Sequence, residues 1–483
     1  MTVASLVLAT VMLAGTSASE PARPNVLFIA VDDLNDWIGP LGGNAQTVTP
    51  NYDRLARLGM TFTNAHCAAP ACHPSRLSVM TGVHPARSRI LANIFQRKGP
   101  TWREGPDSGR GVLKEAVTLS QHFRNHGYRA VGGGKIYHAL QWNHDSLNDP
   151  ETWDDYFPDA LDPIPHWVRP NLVDDSKTDL TPGRPLGGSA DRQYFGAAPL
   201  EVADEKTSDS QVVDWAISEL KAEHDRPFFL AVGLFRPHIP WEVPQEHFDR
   251  FPIDQVRVPE VQENDLNDAF DHGRRSWHAW VQENHLWDDL TRGYLASIHF
   301  NDHQIGRLLD ALEASGHADD TILVMWADHG MHIGEKENWE KFTLWEESTR
   351  VPLFLVAPGV TGPGSRCSSP VSLIDIYPTL SALCGLPIPD QCDGESLVPL
   401  LQDPEKERSA PVVTSYQFHQ TDDRGKVVGH AVRSKDWRYI RYDNGFEELY
   451  DHRNDPDEWT NVASDPKFSK VKQALANHLP AWK

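Results

Sequence analysis

The sequence predicts an α/β protein: a doubly wound, mostly parallel sheet followed by a smaller C-terminal α+β subdomain. Two patterns carry this. Apolar runs at 26–31, 129–134, 228–234 and 322–327 are continuous rather than alternating. Such runs suit strands buried on both faces of a parallel sheet. Amphipathic helical stretches separate them, and strand alternating with helix is the mark of a doubly wound sheet. After residue 405 the pattern changes to short strands at hairpin spacing.

In chain order, residues 4–15 are apolar except for Ser5 and Thr10, and the small residues Thr16, Ser17, Ala18 and Ser19 follow. This reads as a secretory signal peptide over 1–19, cut near Ala18 or Ser19, with a buried N-terminal helix as the alternative. The stretch is short for a membrane span, so the mature chain is expected to have none and to be exported: periplasmic, secreted or in a lysosome-like compartment. Thr118 could cap a helix carrying Leu119, Phe123 and His126 and stopped at Gly127. Val212, Val213, Ala216, Ile217 and Leu220 share one helical face. Leu295, Ile298, Ile305, Leu308, Leu309 and Leu312 share another, ending near Gly316. Leu373, Ile374, Tyr377, Leu380 and Leu383 suggest a further helix. The main domain is placed at 20–405, with 141–192, rich in Asp, Pro and Trp, as loops over the sheet. Residues 402–408 form a polar linker into the subdomain at 406–483. There, 412–416, 430–433, 437–442 and 446–450 read as strands, with a turn at Asp443-Asn444-Gly445 and a final helix near 467–479.

The chain has 483 residues and a formal net charge of −23. That balance argues against nucleic acid, although a cleft can still hold an anion against the global sign. At 40% hydrophobic and 23% charged residues, the composition excludes a disordered or collagen-like chain. Cys67, Cys72, Cys367, Cys384 and Cys392 make an odd count, so intramolecular pairing leaves at least one thiol over. A Cys384–Cys392 bridge is a possibility, and Cys72 is the candidate for the unpaired thiol.

All four apolar runs deliver polar residues at their carboxyl ends, where ligands bind in such sheets. Asp32 and Asp33 follow the first. Two adjacent acids near a core repel and lose hydration, and a hard divalent cation relieves both costs. A solvated loop or helix cap is the plain alternative. Asp328 and His329 follow another run. Imidazole is a less natural calcium ligand than oxygen, so a hydrogen-bonding role beside the metal is the alternative for His329. Lys135 and His138 follow the second run; Arg236 and His238 follow the third. Surface charge, or a histidine satisfied in the core, is their plain reading. In Cys72-His73-Pro74-Ser75-Arg76, Pro74 suits the first turn of a helix and Gly82 its end. Cys72 then sits at the helix N-terminus, where an anion is favoured, and Arg76 lies one turn on. A low-pKa nucleophile and a buried structural cysteine are both consistent with that position.

Cys72, Pro74, Ser75 and Arg76 resemble the C-x-P-S-R motif of formylglycine-dependent sulfatases, in the alkaline phosphatase-like superfamily. Further matches follow in order: Pro24 to Asp33, Gly134 to His138, Ala327 to Gly330, and Leu449 to Pro456 with Glu458 and Asn461. The Asp328-His329 pair, Arg236 to Pro240 and Trp339 to Phe342 resemble the iduronate-2-sulfatase branch, since many sulfatases carry Asn at the position of His329. The resemblance implies calcium held by Asp32, Asp33, Asp328, His329 and the modified residue 72. It implies that Cys72 is oxidised to an aldehyde by a formylglycine-generating maturation system. One hydroxyl of the hydrated aldehyde would attack sulfur; the other, losing a proton to His138, would expel sulfate, which an ordinary Cys or Ser could not do. Arg76, Lys135 and Lys341 would hold sulfate oxygens, and His238 or Lys341 would protonate the departing alcohol. The implied activity is sulfate removal from a sulfated sugar, as in glycosaminoglycan or polysaccharide degradation. Rivals are a phosphonate or phosphate ester hydrolase on the same scaffold, a catalytically silent glycan-binding homologue, and a cysteine hydrolase.

Overall fold

A computed structural model describes residues 23–93, 103, 111–138, 149–157, 195–272, 275–408, 410–419 and 426–481. The expected signal segment and most of the 141–192 loop region lie outside the described residues. The central sheet has eight strands. In chain order these are β1 (Asn25–Val31), β2 (Met60–Phe62), β3 (Arg129–Gly134), β4 (Asp155–Phe157), β5 (Phe228–Leu234), β6 (Thr321–Ala327), β7 (Leu353–Val356) and β8 (Ser365–Cys367). Their spatial order is β8-β2-β7-β6-β1-β5-β3-β4. The block β6-β1-β5-β3-β4 is parallel throughout. β7 runs antiparallel to both of its neighbours, making the sheet mixed.

β1, β5 and β6 are buried at every residue, as their unbroken apolar runs require. Successive side chains point to opposite faces of a sheet, and both faces are covered. Phe229 of β5 stacks on Phe123, with ring centroids 4.7 Å apart. Phe123 belongs to a helix Leu119–Asn125, capped by the Thr118 side chain, which accepts from Gln121 N. Val232, of opposite parity to Phe229, pairs with Gly133. A Cβ on Gly133 would lie 2.6 Å from Trp215 of the helix Ser208–Lys221. The two helices therefore lie on opposite faces, and only glycine lets the second approach so closely. The longest helix, Trp287–Ser315, packs on Ser208–Lys221 and ends at Gly316 in the left-handed region (φ 81°).

The C-terminal sheet is an antiparallel meander of β9 (Val412–His419), β10 (Lys426–Arg433), β11 (Trp437–Tyr442) and β12 (Glu447–Asp451). β9 and β10 outrun the expected strands. The β9 extension, Gln417-Phe418-His419, alternates polar and apolar side chains, and in the β10 extension burial alternates, Val427 being buried and Lys426 exposed. One face packs on Leu344 and Trp345. The other packs on Leu475 of the helix Ser469–Ala476, shorter than expected. All five cysteines are free thiols, so the Cys384–Cys392 bridge does not form. Among the described residues no helix is long and apolar enough to cross a membrane.

Candidate active site

The sheet order sets β6, β1, β5 and β3 side by side. Parallel pairing then puts Asp328-His329, Asp32-Asp33, Arg236-His238 and Lys135-His138 at neighbouring strand ends. The helix Cys72–Thr81 starts over the same edge and is closed by Gly82 (φ 69°), whose N–H bonds Ser78 O. Ser75 Oγ donates to Asp328 O at 2.5 Å and ties this helix to the end of β6. Asp33 has φ 58°. Its carbonyl accepts from the Tyr294 hydroxyl at 2.8 Å, which in turn accepts from Asn35 N at 3.0 Å.

Ligand atoms of Asp32, Asp33, Cys72 and His329 all lie within 4.8 Å of one another, and all four residues are buried. His329 Nδ1 is taken by Gly330 O at 3.0 Å. Its Nε2 faces Cys72 Sγ at 3.2 Å, and Asp33 Oδ1 and Asp328 Oδ2 at 3.5 Å each. A neutral ring would aim a lone pair at three electron-rich groups, so Nε2 needs a proton or a metal ion. Burial opposes the charged ring, but Asp328 and the Cys72 sulfur outweigh it and push His329 up to about 9. The set therefore fits a divalent cation, which would take the place of that proton. The Cys72 sulfur stands where the oxygens of an oxidised, hydrated side chain would be.

Three buried cations face these acids. Lys341 Nζ donates to both Asp33 oxygens, at 2.7 and 2.9 Å. Lys135 Nζ pairs with Asp32 and lies 4.0 Å from Cys72 Sγ. Arg76 donates through Nε to Asp328 Oδ2 at 2.7 Å and through Nη2 to Asp32 Oδ1 at 3.1 Å; its Nη1 bonds the carbonyls of Lys135 and Ile136. Burial pushes Asp328 up despite Arg76. Burial also opposes ionisation of Asp32, but Lys135 and Arg76 hold it far below the usual carboxylate range. The Cys72 thiol is likewise opposed by burial yet driven well below its ordinary value by Lys135, Lys341 and His329, with help from a hydrogen bond to His138.

The Arg76 side chain has no solvent exposure, and every nitrogen is committed to an acid or a carbonyl. Its fork thus meets Asp32 and Asp328. His138 meets Cys72 and packs edge-on to His73, centroids 6.0 Å apart. Burial lowers both rings, His73 to about 3. His238 Nε2 lies 3.7 Å from Asp33 Oδ2. Arg236 holds the His238 carbonyl at 2.9 Å and is itself fixed by Asp209, which accepts from Arg236 N at 2.8 Å. Tyr294, Asp209 and His73 escape the sequence reading. Tyr294 and Asp209 sit in helical stretches with no distinguishing spacing; His73 had only its place beside Cys72 as a signal.

The model for the sulfatase family matches residues 24–386, which span all of these groups. The chain belongs to the sulfatase family. As such it is a hydrolase of sulfate esters. A second model, for the C-terminal region of N-sulphoglucosamine sulphohydrolase, matches 334–483. This sulfatase is 36% identical to a protein named sulfatase from Formosa agariphila, across 95% of its own length and 87% of that protein. It is 27% identical to iduronate 2-sulfatase of Mus musculus, across 95% and 94%. The fold is that of a phosphonate monoester hydrolase from Silicibacter pomeroyi, with TM-score 0.75, 21% identity and 94% coverage of each chain. A 2-O GAG sulfatase superposes with TM-score 0.67 at 21% identity, covering 94% of this chain and 91% of that one.

Proposed function

We propose that this sulfatase is an exported, calcium- and formylglycine-dependent enzyme that removes sulfate from a sulfated saccharide. The observation that carries the reading is the meeting of Cys72 with Asp32, Asp33 and His329 within 4.8 Å, at a helix start and the carboxyl edge of the sheet. Asp32, Asp33, Asp328, His329 and the matured residue 72 would hold calcium, which polarises a sulfate ester oxygen as a Lewis acid. Matured by a formylglycine-generating system, residue 72 would supply in its hydrate the attacking hydroxyl and a second hydroxyl that lets sulfate leave.

Within that frame the chain's own groups take defined parts. Arg76 fixes the acids. Lys135 and Lys341, paired with Asp32 and Asp33, stand beside the place of the sulfate and offset charge that grows on its oxygens. His138, touching residue 72, takes the proton of the second hydroxyl. His238, partly open to solvent and 3.7 Å from Asp33, gives a proton to the leaving alcohol, with Lys341 as its alternate. The signal-like segment at 1–19 supports export. A saccharide substrate is supported by relatives named iduronate 2-sulfatase and ulvan-active sulfatase. A relative named choline-sulfatase makes choline sulfate the control.

The test has three readouts. Mass spectrometry of the peptide spanning Cys72 reports the aldehyde. Metal analysis reports calcium. Kinetics on matched aryl sulfate, phosphate and phosphonate esters, and then on defined sulfated saccharides, report the reaction. Sulfate release only from the matured protein is expected, with saccharides ahead of choline sulfate. Full activity of the thiol form, or a higher kcat/KM on phosphonates, would overturn the proposal.

A further inference from the structure

A second group of donors gathers on the flank of the helix Trp287–Ser315. Asp204 Oδ1 lies 3.0 Å from His247 Nε2, and Asp204 Oδ2 lies 2.8 Å from His303 Nδ1. These atoms lie within 4.8 Å of one another. We propose that Asp204, His247 and His303 form a second metal site, for a transition ion such as Zn²⁺.

Two imidazoles and a carboxylate are a borderline donor set that suits zinc and its neighbours better than calcium. Three separate segments supply it, each fixed by its own packing. Asp204 opens the turn Asp204–Lys206, after the strand Ala197–Leu200. His247 lies in Gln245–Asp249, directly after the strand Trp241–Pro244. These strands pair with each other, which sets the spacing of Asp204 and His247. His303 lies on the long helix one turn beyond His299, so both rings share a face. His247 is buried and sits edge-on to Phe300, centroids 5.2 Å apart. The His303 side chain is 54% exposed, which leaves an approach from solvent.

A supporting contact lies behind the donors. His247 Nδ1 is 2.8 Å from His299 Nδ1. Without metal, His299 Nδ1–H donates to His247 Nδ1, while His247 Nε2–H and His303 Nδ1–H donate to Asp204. With metal bound, the last two positions give up their protons. His247 then carries its proton on Nδ1 and donates it to His299, which holds its own on Nε2. Orienting a ligand through its second nitrogen is the usual support for a metal-bound histidine. Of the flanking charges, Glu246 and Arg307 act on His303 with opposite sign.

Full-length, matured, calcium-loaded protein titrated with Co²⁺ and Zn²⁺ tests this. Wild type is expected to bind one equivalent with the visible bands of a low-coordinate cobalt site, and Zn²⁺ should raise its Tm. His303→Ala and Asp204→Asn should lose that equivalent, its bands and the Tm shift, while sulfate release is unchanged. His299→Ala, a positioning variant, should keep the site but weaken it by about 10- to 100-fold. Wild type and His303→Ala giving the same cobalt titration, or wild type giving no bands, would overturn the assignment.

Discussion

Two of the buried charge clusters among the described residues are built to different rules. At the strand ends, Asp32, Asp33 and Asp328 meet two lysines, one arginine, a histidine and a thiol. At the seam with the C-terminal sheet, Glu346 and Glu458 meet Arg433, Arg438 and His452. Arg438 spans both acids, with Nε 2.5 Å from Glu458 Oε1 and Nη2 on Glu346. Burial opposes ionisation of both glutamates, yet their cationic neighbours hold both below the ordinary value. Three donors of the seam, Glu346, His452 and Glu458, could geometrically hold a metal. Planar arginine forks already fill their acceptor sites, so the seam is neutralised from within. The strand-end cluster is not, because His329 keeps a nitrogen facing three acceptors and Asp328 is pushed upward. Arginine forks around acids make a weld; point-charge lysines and an under-satisfied imidazole leave a place for an ion and a substrate.

The largest effect belongs to the open cluster and falls on rate, not stability. Cys72→Ala removes the side chain that maturation turns into the nucleophile and leaves Lys135 on Asp32 and Lys341 on Asp33. Turnover of an aryl sulfate should fall by at least about 10³-fold, as expected for loss of a nucleophile. The thermal unfolding midpoint should stay close to that of wild type. Activity within tenfold of wild type would show that the two clusters do not differ in the way described.

The closed cluster should answer in stability. Arg438→Met leaves Glu346 and Glu458 short of their shared cation in a buried seam, at a cost of about 3–5 kcal/mol. Urea unfolding followed by far-UV circular dichroism would measure it. Adding Glu458→Gln should restore most of the loss, since one anion then goes with one cation and Glu346 keeps Arg433 as its partner. A destabilisation that persists in the double variant would assign the effect to packing of the arginine stem.

Acid sharpens the same contrast. Glu346 and Glu458 have folded values below the ordinary 4.5. Their stabilisation is therefore complete above about pH 4.5 and is lost as pH falls through the folded values. Glu346→Gln should flatten the fall in Tm between pH 5 and 3 relative to wild type. An unchanged acid limb would mean that other buried groups, such as His430, lowered to about 3, control it.

The same residues show what a sequence discloses. β1, β5 and β6 are legible because a strand buried on both faces has to be apolar throughout. The helix start at Cys72 is legible because Pro74 and Gly82 bracket it. β2, β4, β7 and β8 are three or four residues long. That is too short for any periodicity to separate strand from loop, and the antiparallel insertion of β7 leaves no local trace. The acids at the strand ends could be named because chain direction alone fixes them there. The orientation of Arg76 could not, since helical phase sets where a side chain starts and not which acceptors its fork will meet. Beyond the strand read at 446–450, the Leu449 to Pro456 segment with Glu458 and Asn461 is visible only as a resemblance. Its physical reason is tertiary: the Asn461 side chain accepts from Leu449 N at 3.0 Å and donates to Glu447 O at 3.1 Å, while His452 reaches Glu458 at 2.9 Å. Asp204, His247 and His303 are separated by 43 to 99 positions, beyond any local spacing rule.

The smallest expected effect isolates burial from geometry. Arg54 also bridges two acids, with Nη1 2.6 Å from Asp310 and Nη2 2.9 Å from Glu313. Its fork is as well aimed as that of Arg438, but its partners are 73% and 59% exposed. Water already solvates those carboxylates, so removing the guanidinium strands nothing. Arg54→Ala should cost less than about 1 kcal/mol, and 1 M salt should shrink even that, because the Debye length falls to about 3 Å. Arg438→Met should be nearly indifferent to the same salt. If Arg54→Ala instead cost as much as the seam variant, fork geometry rather than burial would set the strength of these arginines, and the distinction between weld and open cluster would lose its physical basis.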